Sequence, residues 1–171
     1  MPESSLPVPV APPSVLRRLA VMLYEGMLLF GVLFIAGWLF GTLLQQRHAL
    51  YLRGILQYWL FFVMGAYFIW FWSHGGQTLA MKTWRVRLVA ADGSAVSMLQ
   101  ATSRFLLSWL WILPGLILAW RFQVQGWMLV LIPAANVVIW AGLCWLDTDR
   151  RFVHDRLART KLIGVPELKK K

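Results

Sequence analysis

Two groups of residues carry what chemistry this sequence offers. Glu25 lies inside an apolar stretch, LAVMLYEGMLLFGVLFIAGWLFGTLL (19–44), and Asp147, Asp149, His154 and Asp155 alternate with arginines in DTDRRFVHDRLART (147–160). A carboxylate within an apolar helix costs at least a few kcal/mol, so it needs a cation, a hydrogen-bond donor, a proton or a water-filled recess. Arg18 precedes it on nearly the same helical face, about two turns away. Arg104, near the start of a later apolar segment, is the other candidate partner. Two readings of Glu25 stand side by side. It binds a proton, a cation or part of a substrate, or it forms a structural ion pair that fixes helix packing.

The second group resembles a metal site only at first glance. Adjacent His154 and Asp155 should point in different directions on a helix or strand. No second histidine lies nearby, and the sole cysteine, Cys144, sits in an apolar block where it reads as a buried apolar residue. Hard cations need more oxygen ligands than the segment provides. We therefore expect no metal and no cofactor. The bases Arg150, Arg151, Arg156 and Arg159 read as a collar facing anionic headgroups. The interleaved acids read as partners for specific arginines, within the segment or at Arg17 and Arg18. Asp155 above all would tie the tail to the start of the first helix, with Asp149 behind it. No phosphate-binding loop, dinucleotide fingerprint, nucleophile elbow or metalloprotease helix is present, so the sequence does not read as an enzyme.

The elements that position these residues follow from composition. Of 171 residues, 59% are hydrophobic and 14% charged, against about 25% charged in soluble domains. Mean hydropathy is +0.61. The apolar residues fall in four blocks, 19–44, 55–72, 101–120 and 127–146, each near the length of about 20 residues that spans a bilayer. Pro114 and Pro133 should kink the last two, with neighbouring groups satisfying the freed carbonyls. The net charge of +10 flanks these blocks, which favours the anionic face of a membrane over nucleic acid as partner. With four spans, Arg17 and Arg18, the middle bases Lys82, Arg85, Arg87 and Arg104, and the basic C-terminal segment share one side. Arg47, Arg53 and Arg121 lie on the other. The positive-inside rule then puts both termini in the cytoplasm. Residues 1–14 lack the features of a signal peptide and read as a disordered tail; 165–171 form a second, basic tail.

The connection 73–100 has features of its own. WRVRLV (84–89) alternates like a strand, ADGS (91–94) offers the Asp-Gly turn of a hairpin, and SMLQ (97–100) has capping-box form, so that Ser97 should start a helix. GGQTLAMKTW (75–84) reads as a short interfacial helix. Gly37 and Gly41 fit a small-xxx-small helix contact, and Asn136 suits a hydrogen bond across helices. Tyr51, Trp59, Trp72, Trp120 and Trp127 read as interface anchors. His48 and His74, near opposite faces, do not form a pair.

In order along the chain, RRLAVMLYEGMLL (17–29), GGQTLAMKTWRVRLVAADGSAVS (75–97), SRFLLSWL (103–110) and DRRFVHDRLARTKLI (149–163) resemble the conserved blocks of the RDD family. The arginine and two aspartates that name the family would correspond to Arg18 (or Arg17), Glu25 and Asp155. Glutamate stands where the family usually has aspartate, and Ala80 where glycine is commoner. The resemblance implies a bacterial multi-pass membrane protein and, by analogy with some members, a role in transport, including sodium/proton exchange; it supplies no substrate. The expectation is thus an all-α membrane protein of the bacterial inner membrane. It has four transmembrane helices over 15–164, a small cytoplasmic β-hairpin between helices 2 and 3, and a polar cluster of Arg18, Glu25, Arg104, Asp149 and Asp155. The leading function is transport, or support of transport, of an ion or small solute, by a homo-oligomer. The alternative is a non-transporting scaffold for another membrane protein.

Overall fold

The computed structural model describes residues 13–44, 52–146 and 151–165. Helix α1 (Val15–Leu43) starts at Ser14, whose hydroxyl accepts from the Arg17 amide at 3.3 Å. Helix α2 (Arg53–Ser73) follows. Both are long and apolar enough to cross a membrane. The third apolar block does not form one straight helix. It divides into α4 (Met98–Ser108) with a 3-10 turn (Trp109–Trp111), and α5 (Leu113–Arg121), bent by 40° at Ile112. The fourth gives α6 (Met128–Gly142) and a second 3-10 turn, Leu143–Leu146. Among the described residues there are thus two helices long and apolar enough to span, or three if the bent pair counts as one, and a shorter apolar helix.

Proline chemistry explains the break. Pro114 has no N–H, so the Leu110 carbonyl loses its helical donor. Asn136 of α6 compensates, its Nδ2 donating to the Trp111 carbonyl at 2.6 Å and reaching that of Leu110 at 3.4 Å. This closeness depends on Gly115, where a Cβ would stand 2.8 Å from Pro133 Cα. By contrast, no described residue lies within 4 Å of where a Cβ at Gly37 or Gly41 would sit, so the expected close contact there is not made among the described residues.

The connection after α2 contains α3 (Leu79–Thr83), capped by Thr78, and strand β1 (Val86–Ala90). The Asp-Gly turn forms: the Gly93 amide donates to the Ala90 carbonyl at 2.9 Å, and Asp92 Oδ1 accepts from the Ser94 amide at 2.9 Å. The expected local hairpin does not. Ser97 already caps α4, in the anticipated capping box with Gln100, which leaves too few residues after the turn to make a return strand. Strand β1 pairs instead with the C-terminal β2 (Thr160–Gly164), antiparallel, with Arg87 opposite Ile163 and Leu88 opposite Leu162. Helix α7 (Val153–Leu157) leads into β2.

Most of the core sits at this end. Val21, Trp72, Met81, Val86, Leu88, Phe105 and Leu162 are buried together, and a second cluster joins Trp111, Cys144 and Phe152. Trp72, expected as an interface anchor, is a core residue because it packs beneath α4, while Trp59, Trp120 and Trp127 remain exposed. Cys144 is buried as expected. Tyr51 and His48 lie outside the described residues; His74 is exposed and stacks on Trp70. Arg17 brings the start of α1 to the same end, donating to the carbonyls of Trp84 and Arg85.

The strand pairing is testable by cross-linking. In a Cys144→Ala background, Arg87→Cys with Ile163→Cys should form a disulfide under mild oxidation, because paired antiparallel residues lie within disulfide reach. Arg87→Cys with Met98→Cys, the pair a local hairpin would oppose, should not. The reverse pattern would restore the hairpin.

Candidate functional site

Arg18, Val21 and Glu25 fall on one buried stripe of α1, as their spacing requires. Glu25 is only 6% exposed. Among the described residues its carboxylate is met by two hydroxyls and no guanidinium. Tyr67 of α2 donates to Oε1 at 2.7 Å, and Thr78 donates to Oε2. Thr78 is wholly buried and uses its hydroxyl twice, since it also accepts from the Met81 amide at 3.2 Å as the cap of α3.

The segment before Thr78 fixes that hydroxyl. Gly76 has a φ of +70°, and a Cβ there would collide with the Leu88 carbonyl oxygen. Its own carbonyl accepts from the Leu88 amide at 2.7 Å, while Gln77 Nε2 donates to the Val86 carbonyl at 2.8 Å. Gly-Gly-Gln-Thr thus clips onto β1 and presents Thr78 beneath Glu25. Sequence reasoning quoted this segment but assigned Thr78 no role. Tyr67 was missed as well, although it is one of two hydroxyl-bearing rings in an apolar block rich in Phe and Trp.

The arginines expected near Glu25 are engaged elsewhere. Arg18 Nε donates to the Pro13 carbonyl at 3.0 Å, and its guanidinium lies 5.8 Å from the centre of the Phe152 ring. Arg104 pairs with Asp155, with Nε 2.7 Å from Oδ1, both side chains buried, and it stacks over Trp72 at 4.2 Å. The expected tie between Asp155 and the start of α1 is therefore corrected. Asp155 sits on α7, which packs against α4, and the cation there is Arg104; Arg17 is taken up by backbone carbonyls. Asp147 and Asp149 lie outside the described residues.

His154 does not diverge from Asp155 as neighbours on a helix were expected to. Its Nε2 stands 3.3 Å from Asp155 Oδ1. Adjacency fixes only where the two Cβ atoms point, and ring and carboxylate still converge. Trp111 Nε1 donates to His154 Nδ1 at 2.8 Å. An indole N–H can only donate, so Nδ1 carries no proton and the imidazole is neutral, with its hydrogen on Nε2. Burial pushes the His154 pKa down to about 4; Asp155 opposes the shift and Arg104 adds to it.

Arg18, Glu25, Arg104 and His154 are the ionisable lining of one cavity of about 290 Å³, walled by Phe68, Trp72, Trp111 and Phe152. Asp155 is fully buried, its Oδ2 without a partner among the described residues. No group of three or more His, Cys, Asp or Glu side chains is placed to hold a metal ion, again among the described residues.

The sequence model of the RDD family matches residues 12–159 of this chain. No curated protein and no solved structure matches it.

The neutral histidine gives a signed pH dependence. In the unfolded chain His154 takes up a proton near its ordinary value of 6.5, and in the fold only near 4. Its contribution is whole above pH 6.5 and is lost as pH falls through 4, at up to about 1.4 kcal/mol per pH unit. Thermal unfolding in detergent between pH 7 and pH 4 should therefore steepen in wild type relative to His154→Gln. Parallel curves would show that His154 is not held neutral.

Proposed function

The chain belongs to the RDD family, and on that premise we propose that it is a multi-pass membrane protein that moves, or supports the movement of, an ion or small solute. Glu25 is its protonatable or cation-binding group. The observation that carries this reading is the setting of that carboxylate: buried on an apolar helix, held by two neutral hydroxyls, and lining a cavity. An arginine pressed against it would lock it in the charged form. Neutral donors leave its charge to be changed by an arriving proton or cation.

The topology proposed with it has four crossings. Hydrogen-bonded strands lie on one side of a membrane, so the chain between β1 and β2 crosses an even number of times. The Arg17 contacts support putting the start of α1 on that side too, with α1 and α2 crossing once each. The bent α4–α5 unit would make the third. Helix α6 with its 3-10 turn, about 30 Å long together, would make the fourth. The basic residues gathered at the strand end support a cytoplasmic placement, against anionic lipid of a bacterial inner membrane.

A non-transporting scaffold, alone or as a homo-oligomer, is the second reading. One observation favours it: Gly37 and Gly41 lie open on α1, beside exposed Phe34 and Trp38, as a face ready for a neighbouring helix. Proteoliposomes with an entrapped pH dye, challenged with sodium or potassium gradients, separate the two. The transport reading expects proton movement in wild type and its loss in folded Glu25→Gln protein. Equal flux from both proteins removes Glu25 from the mechanism, and a wild type that moves nothing without a copurifying partner supports the scaffold.

A further inference from the structure

Two stretches of the chain repeat one design. α3 with β1, like α7 with β2, is a five-residue helix and a five-residue strand joined by two residues. The second joining residue is an arginine in left-handed backbone each time, Arg85 at φ +52° and Arg159 at φ +53°. The two strands pair with each other, and each short helix packs on the helix that opens its half of the chain, α3 on α1 and α7 on α4. Each unit is also tied to that helix through one buried acid. Asp155 of α7 meets Arg104 of α4, a permanent cation, at 2.7 Å. Thr78, the cap of α3, donates to Glu25 of α1. The first tie keeps its charges, whereas the second rests on a carboxylate that faces neutral donors and a cavity.

A hydrogen bond to an ionised carboxylate is roughly twice as strong as one between neutral groups. A proton on Glu25, or a cation drawn to it, therefore weakens the bond from Thr78. That hydroxyl also accepts from the Met81 amide at 3.2 Å. The two residues before it fasten the turn to β1, through the Gly76 carbonyl, which accepts from the Leu88 amide at 2.7 Å, and Gln77 Nε2, which donates to the Val86 carbonyl at 2.8 Å. Loosening Thr78 thus reaches the strand. It stops at the other end of α3, where Arg17 donates to the carbonyls of Trp84 and Arg85 whatever the state of Glu25. The other ionisable groups facing Glu25 among the described residues are Arg18 on its own helix, Tyr67 on α2, Arg104 on α4 and His154 on α7.

We propose that Thr78 is a positioning residue that carries the charge state of Glu25 to β1. When Glu25 is neutralised, the turn 75–78 and the first turn of α3 loosen from α1, while the equivalent unit of α7 and β2 stays fixed by Arg104 and Asp155. By linkage the coupling runs both ways, so a contact that steadies this turn from the strand side strengthens the hold of Glu25 on its charge. The inference rests on the reading of Glu25 as a group whose charge changes, and not on the movement of a solute.

Amide hydrogen exchange of the full chain in a neutral detergent, resolved to single residues, tests this at constant pH. Glu25→Gln fixes the side chain neutral. It should speed exchange at Met81 and Leu88 by about fivefold or more. Arg156 and Ala158, whose amides bond within α7, should stay as they are. Thr78→Val should speed the same two amides, and Glu25→Gln added to it should add little. In Thr78→Ser, which keeps the hydroxyl, the effect of Glu25→Gln should return. Equal acceleration in both units would mean a general loosening. An equal effect of Glu25→Gln with and without the hydroxyl would take Thr78 out of the path, and no acceleration at all would remove the coupling; each of these overturns the proposal. Flux lost in Glu25→Gln proteoliposomes with exchange unmoved would end the coupling and leave transport standing, and exchange that moves in a protein without flux would do the reverse.

Discussion

A guanidinium and a carboxylate buried in apolar surroundings cannot be left single, and the pairing of Arg104 with Asp155 is the constraint on which this end of the molecule depends. Removing either partner from such a pair leaves an uncompensated charge, at a cost of about 3–5 kcal/mol. Arg104 stands on α4, beyond two membrane-length helices, and Asp155 on a five-residue helix far along the chain. Their contact fixes where α7 sits. From there β2 runs back along β1, His154 meets Trp111, and Phe152 slides under Arg18. The cavity is the space these contacts enclose.

Glu25 obeys the same rule by another means. Its carboxylate is hydrogen-bonded by hydroxyls from Tyr67 and Thr78, each on a different element, and the Thr78 hydroxyl is aimed by a glycine turn clipped onto β1. The two acids of the site are therefore not equivalent. Asp155 is bound to a permanent cation and serves the architecture. Glu25 faces neutral donors and a cavity, which is the setting in which a proton or a ligand changes the local charge most. A single arginine shared by both acids would have erased that difference.

Much of this was legible because it is local. The cost of a carboxylate in an apolar helix singles out Glu25. A seven-residue spacing puts Arg18 on its face. Proline at 114 foretells the break and Ser97 the start of α4, and Asn136 suits a hydrogen bond across helices, though its place at that break comes from the fold. What escaped is non-local. An alternating run followed by Asp-Gly reads as a hairpin, and nothing nearby says that the strand will find its partner some seventy residues on, at Thr160–Gly164. The choice of Arg104 over Arg18 for Asp155 depends on how α7 packs, which periodicity cannot show. Thr78 and Tyr67 are ordinary residues by type, and only the fold brings their hydroxyls to one carboxylate. Asp149, the other acid of the expected cluster, lies outside the described residues.

The most direct test of this account is a pair of double-mutant cycles read by unfolding free energy in detergent. Arg104→Met and Asp155→Leu should each be costly, and together cost less than their sum by about 2 kcal/mol or more, while Arg18→Met with Asp155→Leu should be nearly additive. Additivity for Arg104 with Asp155, or the stronger coupling for Arg18, would contradict the account at its base.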